Sequence, residues 1–193
     1  MIKINISCSK RKLSEGFPLN LSPNTIGKYL NQYVNYYLIY KLEGFDLKEM
    51  RVIKHNFRFY PYDTSFYQYN KKELLKNIDI VSMTLLIGRL KEEGYEVYCG
   101  YFHQQVLTPD HKRQYQDEDI GIFVTNHKRS LVFIMNLSGR ELNYKTIKKI
   151  PAYIEKYVID NQHHELYPGN DGVWYTNPSH LNQTMLYGNR MQL

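Results

Sequence analysis

The sequence predicts one domain of α+β or α/β class: a central mixed sheet of about five strands, three helices packed on it and an extended C-terminal arm. Three observations lead there. Two β-rich apolar runs, Ile120-Gly121-Ile122-Phe123-Val124-Thr125 and Leu131-Val132-Phe133-Ile134-Met135-Asn136-Leu137, flank the polar turn Asn126-His127-Lys128-Arg129-Ser130, which is a hairpin signal. Other stretches repeat apolar residues every three or four positions, as helices do. From Asn161 onward the chain turns rich in Asn, Gly, Pro, His and Gln. The expected division is therefore a core over residues 1–160 and an arm over 161–193. With 193 residues, 42% of them hydrophobic, the chain has enough apolar surface for a sizeable core.

Ile2, Ile4, Ile6 and Cys8 alternate with Lys3, Asn5 and Ser7, the pattern of a half-buried strand. No apolar segment of the signal-peptide type is present there. Lys10, Arg11 and Lys12 follow as a basic turn, a candidate phosphate contact. Ser22-Pro23 opens a helix: Ser caps free N–H groups, and Pro fits the first turn because its missing N–H costs nothing there. Ile26, Leu30, Tyr33, Tyr37 and Tyr40 recur at helical spacing, and Gly44 ends the helix. Its Tyr29, Tyr33, Tyr36, Tyr37 and Tyr40 suit a stacking platform, but core packing is the expectation.

Residues 50–59 read as a strand with Ile53, His55, Phe57 and Phe59 on one side and Lys54 and Arg58 on the other. Phe57-Arg58-Phe59-Tyr60-Pro61-Tyr62 interleaves rings with a cation, as single-stranded nucleic acid sites do. The plainer reading is a strand that stops at Pro61. Residues 71–93 form a second long helix with Ile78, Val81, Leu85, Ile87 and Leu90 on its apolar faces, stopped by Gly94. A strand over 95–103 and a polar loop over 104–116, holding Lys112 and Arg113, lead to the hairpin. The hairpin is apolar on both faces and belongs in the middle of the sheet. After Gly139, Ile147, Ile150, Ile154 and Val158 read as helical. Pro151 interrupts them, so a kink or a short turn before a helix from 151 is expected. Lys145, Lys148, Lys149 and Lys156 fall on the outer side. In the arm, Val173-Trp174-Tyr175 reads as one short strand, and Trp174, the single tryptophan, is expected to pack on the body or on a partner.

The formal charge of +6 permits contact with nucleic acid or an acidic protein surface. Tyrosine is over-represented at 19 residues, and Lys, Asn, Ile and Tyr rise together, a composition that suits a phage or mobile element of a low-GC bacterium. Cys8 and Cys99 form no motif and read as small buried hydrophobes in a reduced, cytoplasmic setting. No apolar run approaches the roughly 18 residues of a membrane span.

The order from residue 71 onward, helix, strand, strand, strand, helix, resembles the core of the restriction-endonuclease-like nucleases over about half the chain. The resemblance implies an acid opening the second core strand and an acid-x-Lys on the third, two carboxylates holding Mg²⁺ while the lysine orients water. Asp119, with Asp117 and Glu118, matches the first position. The third strand departs from the pattern, with Met135-Asn136-Leu137-Ser138 where the acid-x-Lys belongs. A second resemblance is to rolling-circle replication initiators, carried by His103-Gln104-Gln105 as the metal pair and Tyr153-Ile154-Glu155-Lys156 as the nucleophile motif on a helix. The hairpin between the two motifs is misplaced for that fold. His163, His164, Glu165 and His180 fit no zinc spacing.

The favoured expectation is a non-catalytic accessory protein, without cofactor, that binds nucleic acid or a nucleic-acid-processing protein. Its contacts would be Lys10, Arg11, Lys12, Arg58, Lys112, Arg113, Lys128, Arg129, Lys148, Lys149 and Trp174. The alternatives are a metal-dependent nuclease, with Asp119, His103 and Tyr153 as catalytic candidates, and a structural subunit that oligomerises or assembles through its arm.

Overall fold

The computed structural model describes residues 21–67, 78–107, 113–139, 141–169 and 171–181. The alternating strand at residues 2–8, the basic turn Lys10, Arg11 and Lys12, the first turns of the helix from residue 71, Lys112, and residues 182–193 of the arm lie outside them.

Helix α1 (Pro23–Asn35) starts as expected, with the Ser22 hydroxyl oxygen accepting the Thr25 N–H at 3.1 Å. It stops well before Gly44. Leu38 N–H donates to the Tyr33 carbonyl and Tyr37 N–H to that of Val34, with Tyr37 at φ +56°. This is the paired closure that normally places glycine at the left-handed position. The remainder of the expected helix is a strand, β1 (Ile39–Asp46). It turns through Asp46, whose carboxylate accepts the N–H groups of Lys48 and Glu49, into the antiparallel β2 (Arg51–Pro61). A 3₁₀ turn (Thr64–Tyr67) follows. Next come α2 (Ile78–Glu92), β3 (Glu96–Leu107), β4 (Arg113–Thr125), β5 (Ser130–Met135), the single-turn α3 (Tyr144–Ile147), β6 (Glu155–Ile159), β7 (Tyr167–Pro168) and β8 (Val173–Thr176).

Among the described residues the strands form one eight-stranded mixed sheet in the order β2-β1-β3-β4-β5-β6-β8-β7. The class is as expected, but the sheet is larger than five strands. β1 and β6 come from residues read as helix, and β7 from the arm. The polar loop over 104–116 is mostly ladder, since β3 and β4 stay paired out to Leu107 and Arg113. A backbone ladder needs no apolar side chains to continue.

The hairpin of β4 and β5 lies mid-sheet, covered on both faces. On one face α2 contributes Leu86, Ile87 and Leu90 against Cys99, Ile122, Val124 and Phe133. On the other, α3 and the turn after it contribute Ile147, Ile150 and Ile154 against Phe123, Val132 and Val158. Beyond Pro151 the chain is not a helix. It turns and enters β6, parallel to β5, with Tyr157, Val158 and Ile159 all buried. Lys156 is not on an outer surface: it is 9% exposed, and burial pushes its ammonium below the ordinary lysine range. The expected strand near Val173 is β8, parallel to β6, and Trp174 packs partly buried at the edge of the α2-face core. Among the described residues no helix is long and apolar enough to cross a membrane.

Candidate functional site

The sequence runs Asp117-Glu118-Asp119 in a strand, so the pleat sends the middle carboxylate to the opposite face. Glu118 lies on the α3 face, where it accepts from Asn143 Nδ2 at 3.1 Å and from the Thr146 hydroxyl, and faces Lys149 Nζ at 3.5 Å. It fastens α3 to the sheet. Asp117 and Asp119 lie on the α2 face.

Asp119 does not open its strand; it sits mid-way along β4 beside a bulge. Gly100 pairs with Gly121 and Tyr101 with Asp119, so Ile120 is the extra residue. Gly121, at φ +124°, closes the bulge and donates its N–H to Asp119 Oδ1 at 3.1 Å. The other carboxylate oxygen of Asp119 meets Arg58 Nη2 at 2.7 Å. Arg58 reaches across from β2 with its guanidinium 5.3 Å from the Tyr101 ring centre, and its side chain is only 13% exposed. The β1–β2 ladder is irregular at Gly44, where a Cβ would lie 3.1 Å from Asn56 Cβ and 3.3 Å from the Tyr101 ring. Burial opposes charge on Arg58, but Asp119, with Tyr101 and Tyr60 nearby, outweighs it and holds the guanidinium above its usual pKa. Burial likewise raises the Tyr60 phenol, and it pushes the Cys99 thiol up to about 12. All three groups keep the protonation state they have in neutral solution.

Next to this pair, Asp117 accepts Asn56 Nδ2 at 2.8 Å and bonds His103 Nδ1 at 2.5 Å. On the far side, Asp79 in the first turn of α2 accepts the Ser138 N–H at 3.1 Å and the Ser138 hydroxyl. Between them is a cleft of about 190 Å³, lined by Arg58, Tyr60, Asp79, Met83, Asp119 and Met135 among others. Two carboxylates line it, but each is engaged by a partner, and β5 offers Ile134 and Met135 rather than an acid and a lysine. Among the described residues no group of three or more His, Cys, Asp and Glu could hold a metal ion. That includes His163, which instead bonds Asp160 at 2.9 Å and packs against the rings of Tyr167 and Tyr175.

The other candidates scatter. Tyr153 is exposed in the turn before β6, not on a helix as the initiator resemblance implies. Arg129 is tied to Glu155 by two hydrogen bonds of 3.0 and 2.7 Å. Lys128 and Lys148 are exposed, Lys149 faces Glu118, and Arg113 begins β4. Phe57, Phe59 and Tyr60 are 8%, 8% and 2% exposed, so the ring-and-cation run on β2 is core and not a stacking surface. Four rings expected to be core are instead exposed: Tyr29, Tyr33, Tyr36 and Tyr37, on and just beyond α1. Asn56 and Asp79 were not singled out from sequence. Only contacts far apart in the chain give them a role, although Asp79 at the start of a helix is a local signal. No family model matches the chain, and no curated protein or solved structure matches it either.

Proposed function

We propose that this chain is an accessory protein that binds nucleic acid and does not cut it. The observation that carries the reading is the Arg58–Asp119 ion pair. The run helix, strand, strand, strand, helix of α2 to α3 is the order that prompted the nuclease resemblance, and Asp119 is the acid that resemblance requires. In a metal-dependent nuclease that carboxylate holds a divalent cation together with a second acid. Here it is neutralised by a largely buried guanidinium, and Ile134 and Met135 stand beside it. A cation arriving there would have to displace Arg58 and leave that charge without its partner, which is costly in a buried setting. The net charge of +6 and the exposed Lys128 and Lys148 supply attraction for phosphates without base readout.

Labelled duplex and single-stranded oligonucleotides, titrated with the full chain across a salt series with and without Mg²⁺ or Mn²⁺, test this. Binding that weakens as salt rises, with intact oligonucleotides, is expected. Lys128→Ala combined with Lys148→Ala should reduce the salt slope by about two. No binding at low salt, or binding indifferent to salt, overturns the proposal. So does metal-dependent cleavage that Asp119→Ala abolishes; that result would favour the nuclease reading, with Asp79 as the second carboxylate.

A further inference from the structure

The ladder of β3 and β4 runs on past the strands beside it. Among the described residues, the last β3 rung with β1 is at Tyr101 and the last β4 rung with β5 is at Ile122. The two strands stay paired through Phe102↔Glu118 and His103↔Asp117, and then through Gln104↔Gln116, Gln105↔Tyr115, Val106↔Gln114 and Leu107↔Arg113. Those last four rungs make a two-stranded ribbon about 13 Å long, with no described strand paired along either edge.

The root of this ribbon is fastened on both faces of the sheet. Asp117 is held by Asn56 and His103, and Asp119 by Arg58, which ties the root to β2. Glu118 is held by Asn143, Thr146 and Lys149, which ties it to α3. An isolated two-stranded hairpin is marginally stable in water, so a ribbon that works outside the sheet needs such a footing. The same contacts give each root carboxylate a cation or a donor. Lys145 and Lys148 are exposed on and just after α3, with Glu141 the nearest exposed acid in sequence.

The residue types along the ribbon are those of a groove contact. Its paired residues include Gln104, Gln105, Gln114 and Gln116, and their single charge is Arg113. The connecting residues 108–112 add Asp110 and Lys112, whose charges offset each other. Two strands about 4.8 Å apart fit a B-form major groove about 12 Å wide, and glutamine amides match the donor and acceptor pattern that adenine shows there. A protein strand added to a sheet edge reads alternate side chains, and neither Gln104-Gln105-Val106-Leu107 nor Arg113-Gln114-Tyr115-Gln116 alternates apolar with polar.

We infer that the ribbon of residues 104–107 and 113–116 is a probe seated in the major groove of duplex DNA. The inference rests on the nucleic-acid reading above and deepens it. The ribbon supplies contact with base edges, and Lys145 and Lys148 meet the phosphates beside the groove. Single strands have no groove, and the major groove of duplex RNA is too deep and narrow for side chains to read.

The test is anisotropy of labelled duplex DNA, duplex RNA and single-stranded DNA with the full chain and three variants, beside circular dichroism melts. In the first variant an Asn-Gly turn replaces residues 104–116, closing the ladder at the His103↔Asp117 rung and keeping the root contacts. Its melting temperature should not fall, while its affinity for duplex DNA should drop about tenfold or more. Gln104→Ala with Gln116→Ala should weaken duplex DNA binding about fivefold or more at unchanged salt slope, because amides release no counterions. Lys145→Ala with Lys148→Ala should instead lower that slope by about two. In the parent complex, guanine N7 should be protected from methylation. If the parent binds duplex DNA and the first variant, folded, binds it equally well, the probe is overturned and the broader nucleic-acid reading stands. If the first variant does not fold, the Gln104/Gln116 variant decides, and unchanged affinity overturns the probe. Equal parent affinity for single strands or duplex RNA, or guanine N7 left open, overturns it too. If the parent binds no nucleic acid at low salt, both readings fail. If sedimentation shows a self-associated parent and a monomeric first variant with unchanged DNA affinity, the ribbon edges pair with a second copy and the probe is overturned.

Discussion

Gly121 is where a single side chain decides whether the cleft can exist. It closes the bulge that places Asp119 against Arg58, and it does so at φ +124° with the neighbouring strand β5 directly beside it. A Cβ built there would lie 2.3 Å from the Phe133 carbonyl oxygen, a contact that only movement of the backbone can relieve. Gly139 offers a control at φ +68°, because a Cβ there meets nothing within 4 Å. Its replacement costs only the left-handed backbone, roughly 1 kcal/mol. Gly121→Ala adds backbone collision to backbone strain and is expected to cost about 3 kcal/mol or more. Urea unfolding of the two variants, compared at unchanged m-value, measures the difference. Equal costs would mean that β5 does not press on the bulge. The local pattern of an acid ahead of an apolar run singles out Asp119 in the sequence, although the residue sits midway along β4. That pattern does not reach the Arg58 pairing. Arg58 looks like a surface cation in the sequence because nothing near it announces a partner across β1 and β3, on β4.

At the scale of elements, the helix-strand boundaries were the part the sequence concealed. The stop of α1 uses Tyr37 where a glycine would have been visible, so the helical spacing of Tyr33, Tyr37 and Tyr40 ran on into what is β1. The same happened at Ile150, Ile154 and Val158, whose four-residue spacing spans a turn and a strand buried on both faces. The hairpin, α2 and β2 were legible because periodicity and stop signals agreed there. Arg129 shows how an element can absorb a residue read as a partner contact. It clamps the β4–β5 turn to the start of β6 through Glu155, which also accepts the Tyr157 hydroxyl at 2.9 Å. Burial works against the Glu155 carboxylate, but the Arg129 and Tyr157 hydrogen bonds prevail and hold its pKa below the ordinary 4.5. A carboxyl depressed in the folded state contributes stability above its unfolded pKa and loses that contribution as pH falls through the folded value. The clamp should therefore act at neutral pH and fade below about pH 4.5. Glu155→Gln should be less stable than the parent by up to about 1 kcal/mol at neutral pH, a modest figure because the pair is partly solvated. Denaturant midpoints of both proteins from neutral to acid pH should converge. A gap that stays constant would assign the effect to packing and not to charge.

The whole molecule bears on the arm. The sequence predicts an extended arm beyond residue 160, held by the body or by a neighbour, yet β8 lies inside the sheet, between β6 and the two-residue β7. It pairs along Lys156–Ile159 of β6, and the Asp160 N–H donates to the Thr176 carbonyl at 2.9 Å. Val173 and Leu181 are 1% and 7% exposed, and Trp174 covers part of the α2-face core. Ending the chain after Asp160 would uncover β6 as an edge and remove those three apolar side chains. At roughly 2 kcal/mol for each well-buried one, the loss is comparable to the whole stability of many domains. The truncated chain is expected to lose its cooperative unfolding transition, whereas a chain ending after Leu181 keeps the eight described strands and should retain it. Circular dichroism melts of the two truncations decide the point. If the shorter chain melts cooperatively near the parent temperature, β8 is an accessory strand and the arm is free to serve a neighbour. If it does not, a loss of assembly after that cut reports an unfolded sheet, and an arm-mediated interface must be sought with substitutions on the exposed side of β7, such as Tyr167→Ala, that leave β8 in place.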